Sequence, residues 1–377
     1  MLKFLEAVLI LSGMIIGVGM FAIPFSFAEA GFWLGTLELL LLAGIVTALH
    51  LLYAEVVIHT QEIHRMPGYV RLYLGPRAAL VARGSALFGI LGALLAYILV
   101  GAVFLNGIFK YFYPDTTESF WAVVFVAIAA VVTFFPLRRA ALINGVLTTF
   151  LIFFILLLVF LLSPRVEFPN LAGFDIRSAF LPYGVLLFAL TGATVIPDVV
   201  GLLRRNRRES RKAIVVGSLI PAILYFLFAF AVVGVSGPRV SEDAIQGLLP
   251  FTGGSMVFLG SIIGFLAVFT SYIALGKSFQ AMLQIDFKFS KIGAWSTGIF
   301  LPFLFYFAGF TSFISLIAVV GTVAIGIDAA LLTAMYIALH ARREDKALWY
   351  SQIWKVGIIY IVIAAGICYQ TYRFFYG

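Results

Sequence analysis

Gly17, Gly19 and Pro24 fall within eight positions of SGMIIGVGMFAIPFSFAEAG (12–31), a stretch apolar enough to lie in a bilayer. Three helix-weakening residues in the middle of a spanning segment predict an interrupted helix. In a bilayer, backbone N–H and C=O groups left unpaired by such a break are tolerated only where protein, water or a ligand satisfies them. Glycine removes the Cβ that would hold a ligand away from the backbone. Proline fits the first turn of a resumed helix, where its missing N–H costs nothing. The restarted half-helix would then offer free N–H groups and a partial positive charge to an anion. The carboxylate of a small zwitterion matches that chemistry, with Gly17, Val18 and Gly19 presenting their backbone to it. A second interruption lies in LFALTGATVIPDVVG (187–201), where Gly192 precedes Pro197. Here Thr191, Gly192, Ala193 and Thr194 would form the complementary break, its carbonyls accepting from an amino group. Glycine packing and proline kinks are common in single membrane helices, so one break alone would read as packing. Two in matching places of two halves point instead to a transporter site at the bilayer midplane.

The elements that must carry these breaks are membrane helices. Of 377 residues, 63% are hydrophobic and 11% charged, and the mean hydropathy is +1.10. A water-soluble domain of this length could not bury that much apolar surface. Eleven apolar runs are long enough to span: 5–30, 36–58, 84–109, 119–136, 140–162, 179–203, 213–236, 252–281, 293–308, 311–339 and 353–372. The two broken runs each open a group of five, and an odd group size inverts the second group relative to the first. The expected fold is therefore an all-α polytopic membrane protein of 11 transmembrane helices. It comprises a first inverted repeat (1–163), a second (164–340) and an extra helix (341–377). Alternating the loops gathers Lys3, Arg65, Arg71, Arg77, Arg83, Arg138, Arg139, RRNRRESRK (204–212), Lys288, Lys291 and RREDK (342–346) on one side. The other side receives Lys110, Arg165, Arg177, Arg239 and Arg373. The positive-inside rule predicts a cytoplasmic N-terminus and an outer C-terminus, as in a multi-pass protein of the cell (inner) membrane. The net charge of +8 thus reads as orientation and not as a nucleic-acid face. A cleavable signal is not expected, because the first apolar run is followed by further spans. Cys368 is the single cysteine and permits no internal disulfide.

GMIIGVGMFAIPFSFAEAGF (13–32) resembles the first helix of permeases of the amino acid/auxin permease group, within the amino acid-polyamine-organocation superfamily. The nearest likeness is to bacterial aromatic and hydroxy amino-acid permeases. LPYGVLLFALTGATVIPDVV (181–200), SRKAIVVGSLIPAILYFLF (210–228) and AVFTSYIALGKSFQAMLQIDF (267–287) resemble the sixth, seventh and eighth helices of that group, in the same order. The resemblance runs to about residue 340 and implies the five-plus-five inverted repeat of leucine-transporter type, with helices 1 and 6 broken. It implies symport of an amino acid, neutral or aromatic, with Na+ or H+ as the coupling ion and no other cofactor. Permeases of the aromatic type are expected to use protons.

The same resemblance singles out three more positions. Thr270 and Ser271 correspond to a hydroxyl pair that, with carbonyls of the first helix (here Ile16 and Gly19), forms a sodium site. Hydroxyl and carbonyl oxygens are hard ligands suited to such an ion, although Ser and Thr in membrane helices more often bond back to their own backbone. Tyr97 lies mid-way along the third run, on the helix the fold turns toward both breaks. It is a candidate for the substrate carboxylate, with core packing as the alternative. The charges at depth are Glu55, Asp198, Lys277 and Asp328, with Glu38 nearer an interface. Charges there pair or line a pathway, so a gate of salt bridges on the inner side is the first reading, and proton coupling through Glu55 or Asp198 the second. The histidines at 59 and 64 have neither the spacing nor the partners of a metal site, and no nucleotide-binding P-loop occurs. Most of the 39 phenylalanines read as lipid-facing filler and not as an aromatic pocket.

These residues predict a monomeric secondary transporter, its partners an amino acid and the bilayer. An intramembrane enzyme would need a nucleophile–base pair or paired aspartates at depth, and none is evident. An amino-acid-binding membrane sensor without transport is the closer rival, since its binding residues would look the same.

Overall fold

The computed structural model describes residues 2–62, 64–135 and 140–341, with scattered positions between 357 and 369. Arg138, Arg139, RREDK (342–346) and most of the run 353–372, hence most of the expected extra helix, lie outside the described residues. The described residues are all-helical: α1 (Leu2–Ile15), α2 (Gly19–Ala30), α3 (Phe32–His59), α4 (Met66–Leu74), α5 (Pro76–Phe109), α6 (Glu118–Phe134), α7 (Ala140–Leu162), α8 (Leu181–Leu190), α9 (Ile196–Leu202), α10 (Arg207–Ser236), α11 (Leu249–Thr252), α12 (Gly254–Asp286), α13 (Lys291–Phe307), α14 (Phe313–Val320) and α15 (Gly326–Ala341). Several helices begin where the sequence supplies a side-chain acceptor for an otherwise unpaired N–H. Thr117, Asn206, Ser290 and Ser312 cap α6, α10, α13 and α14 in this way.

The expectation of eleven spans is not upheld. Among the described residues seven helices are long and apolar enough to cross a membrane, or eight if the bent pair α1 and α2 counts as one. Length is the physical reason for part of the shortfall. The runs 119–136 and 293–308 fold into α6 and α13 of 17 residues each. At about 1.5 Å per residue these fall short of a hydrocarbon core about 30 Å thick. The last run lies largely outside the described residues.

Two packing groups hold the architecture together. In one, α10 packs on α1, α2 and α3, while α8 packs on α2, α3 and α14, so both interrupted helices sit together. In the other, α5 and α12 form an extended contact, flanked by α6, α7 and α13. Small residues allow the closest crossings. A side chain at Gly184 would come within 2.4 Å of the Ala318 carbonyl, which fixes α8 against α14. Just beyond that crossing, Gly321–Ile325 forms a π-helical turn joining α14 to α15.

The phenylalanines are not uniformly lipid-facing. Phe21, Phe27, Phe32, Phe104, Phe125 and Phe228 are fully buried. The Phe21 ring meets Phe104 edge-on at 4.9 Å behind the first break. Exposed Phe150, Phe153 and Phe160 follow the expected outward pattern.

Candidate functional site

The first break closes α1 with Ile16 N–H on the Ser12 carbonyl (2.8 Å) and opens α2 with Met20 and Phe21 N–H on Gly17 and Val18 carbonyls (3.2 Å each). The two helices meet at a bend of 56°. Among the described residues, the N–H groups of Gly17, Val18 and Gly19 donate to no other part of the chain. These are the free donors the sequence predicted at the start of a resumed helix. Pro24 is placed differently from expectation: α2 restarts at Gly19, so Pro24 lies inside it and not in its first turn.

The two glycines at this break do different jobs. A Cβ built on Gly17 would have Tyr97 Oη at 3.7 Å and nothing closer, so Gly17 borders open space in front of α5. A Cβ on Gly19 would lie 2.9 Å from Ala189 and 3.0 Å from Phe188. Gly19 is therefore the point of close approach between α2 and α8. Tyr97 in turn has Ser271 of α12 as its side-chain partner. The structure thus brings Gly17, Tyr97 and Ser271 into one chain of neighbours.

The second break is built from extended Thr191 and a 3₁₀ turn over Ala193–Val195, after which α9 starts with Pro197 near its head. Side chains meet two of its backbone groups. Gly192 N–H donates to His50 Nε2 of α3 at 3.1 Å. The Thr194 carbonyl accepts from Arg65 at 3.3 Å, at an exposed edge of the molecule. A Cβ on Gly192 would meet Leu11 and Ile15 within 2.8 Å, so α1 is seated directly on this break.

One side chain ties the breaks together. Tyr225 of α10, fully buried, directs its hydroxyl at the Ile15 carbonyl (2.7 Å) and the Ala189 carbonyl (3.0 Å). These two oxygens end α1 and the α8 helix respectively. A single donor thereby serves the last turns of both broken helices. Neither Tyr225 nor His50 was singled out from sequence. A lone histidine within the run 36–58 was the available signal, since polar residues at depth are functional by default. Tyr225 carried none beyond lying one turn after Pro221.

The remaining candidates separate. Thr270 donates back to Leu266 O (2.9 Å) and Ala267 O (3.2 Å) of its own helix. α12 has no extended contact with α1 or α2. Among the described residues no cluster of three or more His, Cys, Asp or Glu could hold a metal ion. The four charges at depth do not form a single network. Glu55 takes both oxygens to Arg207 (2.8 and 3.1 Å), and Asp198 pairs with Arg65 at 2.9 Å. Asp328 accepts from Ser85 at 2.8 Å, and Ser85 also reaches the Ala324 carbonyl in the π-helical turn. Lys277 donates to the Thr133 carbonyl.

The profile of the tryptophan/tyrosine permease family matches residues 1–372. "Glutamine transporter 2" of Aliivibrio fischeri is 24% identical over 354 residues, covering 91% of each chain. "Tyrosine-specific transport system 1" of Haemophilus influenzae is 26% identical over 339 residues, covering 82% of each. Among solved structures, a nucleobase-cation-symport-1 family transporter in a closed conformation with bromovinylhydantoin bound aligns with a TM-score of 0.64 at 15% identity, over 98% of this chain and 91% of that one. MhsT in complex with L-phenylalanine aligns with a TM-score of 0.66 at 16% identity, over 98% of both chains. These two likenesses establish a shared fold, of the leucine-transporter type.

Proposed function

The chain belongs to the tryptophan/tyrosine permease family, and from that premise we propose ion-coupled symport of a neutral amino acid, with the substrate carboxylate held at the first break. The chain is a multi-pass secondary transporter of amino acids and not an enzyme. The observation that carries the placement of the substrate is the 56° bend at Gly17–Gly19, with its unengaged N–H groups and Tyr97 facing Gly17. Free amides at a helix start, in a low-dielectric surrounding, favour a carboxylate strongly. The relatives named for glutamine and tyrosine transport support a neutral side chain, polar or aromatic.

The substrate amino group would face the second break, where the Thr191 to Thr194 segment supplies carbonyls. Alternating access would come from the group containing both breaks rocking against the α5–α12 group, with residues 1–163 and 164–340 as inverted halves. Arg65–Asp198 and Arg207–Glu55 would gate the basic end. The charge distribution supports placing that end and the N-terminus in the cytoplasm of a cell membrane, with the C-terminus outside and the chain acting as a monomer. The ion is Na+ or H+, and the hydroxyls of Thr270 and Ser271, with Ile16 and Gly19 carbonyls, are the sodium candidates.

Uptake of radiolabelled amino acids into proteoliposomes tests this reading. The expected result is accumulation of L-tyrosine, L-glutamine or a competing neutral amino acid under an imposed sodium or pH gradient. Saturable binding without flux under either gradient would establish a sensor and defeat the transport reading.

A further inference from the structure

We propose that His50 binds the coupling proton, and that its protonation releases the second break. The proposal rests on the symport reading and names the group that would make it proton-driven. His50 sits within α3 with its ring buried between the second break and α10. Gly192 N–H donates to Nε2 at 3.1 Å, so Nε2 must carry a lone pair. The ring proton is then on Nδ1, which donates to Ser218 Oγ at 3.2 Å. The bond to the break therefore exists only in the neutral, Nδ1–H form of the imidazole.

A proton arriving at Nε2 turns the acceptor into a donor. It sets N–H against N–H at Gly192 and places a positive charge beside the break. Both effects favour a rearranged segment 191–195, which frees its carbonyls for the substrate amino group. Amino acid and proton would then favour the same rearranged break, so each raises the affinity for the other by the same factor. Returning the proton restores the Gly192 bond and the resting break. No backbone rupture is required, only exchange of one hydrogen bond at a segment lacking regular helix.

The other titratable and charged groups on the packed elements are occupied or remote. On α3, Glu55 is held by Arg207 of α10 and lies beside His59, while Glu38 is three turns away toward the opposite end. Tyr53 stacks edge-on against Tyr69. Asp198 of α9 is held by Arg65, and Asp328 of α15 by Ser85. On α15, His340 bonds the Tyr336 carbonyl. On α10, Tyr225 serves two carbonyls, and Arg208, Glu209, Arg211 and Lys212 lie in its first two turns. Tyr183 of α8 lies toward Glu38, and Glu29 is at the far end of α2. His50 bonds Gly192 and Ser218 and none of these groups.

The test uses the full chain, with L-tyrosine and L-glutamine as probes. Wild type in detergent is expected to take up about one proton per amino acid bound, read with a pH-indicator dye. In proteoliposomes it should accumulate amino acid under an imposed pH gradient. His50→Gln should bind amino acid and exchange it by counterflow, yet take up no proton and lose gradient-driven accumulation. Ser218→Ala, which removes only the Nδ1 partner, should keep driven uptake and shift its pH profile. Wild-type response of His50→Gln to the pH gradient overturns the proposal, as does wild-type uptake that follows sodium and ignores pH. If His50→Gln does not fold, an unchanged pH profile in Ser218→Ala overturns it equally. Wild type that moves neither amino acid under any gradient defeats the transport reading instead.

Discussion

Between Ile15 and Gly19 the first broken helix turns through 56° and, among the described residues, no side chain meets its Gly17, Val18 or Gly19 N–H, whereas the second, Leu181–Leu202, runs on as one 22-residue span with Gly192 N–H taken by His50. Both contain glycine followed by proline, and both interrupt the helix near the middle of a span. Their difference lies in what the surrounding helices provide. Unpaired backbone groups at bilayer depth cost up to several kcal/mol each. At the second break side chains of α3 and α10 have already met part of that cost. At the first it is left to a ligand, which turns the cost into binding energy. The lesson is that neighbouring side chains decide which groups of a broken helix are left for a ligand.

The largest effect expected from this contrast separates the two glycines of the first break. Gly17→Leu should abolish amino-acid binding while the protein stays monodisperse in detergent, because the added side chain fills the space before Tyr97. Gly19→Leu should instead impair folding, since even a Cβ there overlaps Ala189, and overpacking costs about 1–3 kcal/mol or more. Binding and size-exclusion profiles of both variants decide the matter, and the reverse pattern would break the comparison. Next in size, Tyr225→Phe removes the donor shared by Ile15 and Ala189 carbonyls. It should lower stability by about 1–3 kcal/mol, measured by thermal unfolding in detergent, and weaken substrate binding by loosening both breaks. Unaltered melting would mean that the bridge contributes little.

Thr270→Ala is expected to have a smaller effect. With the proton at His50, the variant should bind amino acid as wild type does, with and without sodium. A sodium response present in wild type and lost in Thr270→Ala would restore the hydroxyl site and count against His50. Smallest of all is Arg65→Ala. Arg65 is 71% exposed where it pairs with Asp198, and such pairs contribute about 0–1 kcal/mol. Stability should hardly change, but a cysteine placed at Thr194 should be labelled faster from the basic end. Unchanged labelling would remove Arg65 from the gate.

Much of the site's backbone was legible in the sequence because it follows from residue type. Gly17, Gly19, Gly192 and Pro197 weaken a helix wherever they stand, and both interruptions occur where those residues predict them. Tyr97 was singled out through a resemblance and not through spacing, and its hydroxyl lies in front of Gly17. Less legible was the number of spans, because hydropathy marks an apolar run without fixing how many of its residues become helix. The 17 residues of α6 and of α13 illustrate this. Pro24 shows the same limit at finer scale, since the point at which a helix restarts depends on what packs against it.

By itself, then, the sequence determined that this chain is a membrane protein with two weakened helices carrying exposed backbone. These are local properties, encoded in apolar content and in the absence of Cβ or N–H at particular residues. Which groups of each break meet a side chain was decided only in three dimensions. His50 reaches Gly192 across 142 residues of chain, and Tyr225 reaches Ile15 across 210. No local pattern can encode a hydrogen bond whose partners meet only after the intervening helices have packed. Gly17 and Gly19, two residues apart, received opposite roles for the same reason: one faces space and the other faces α8.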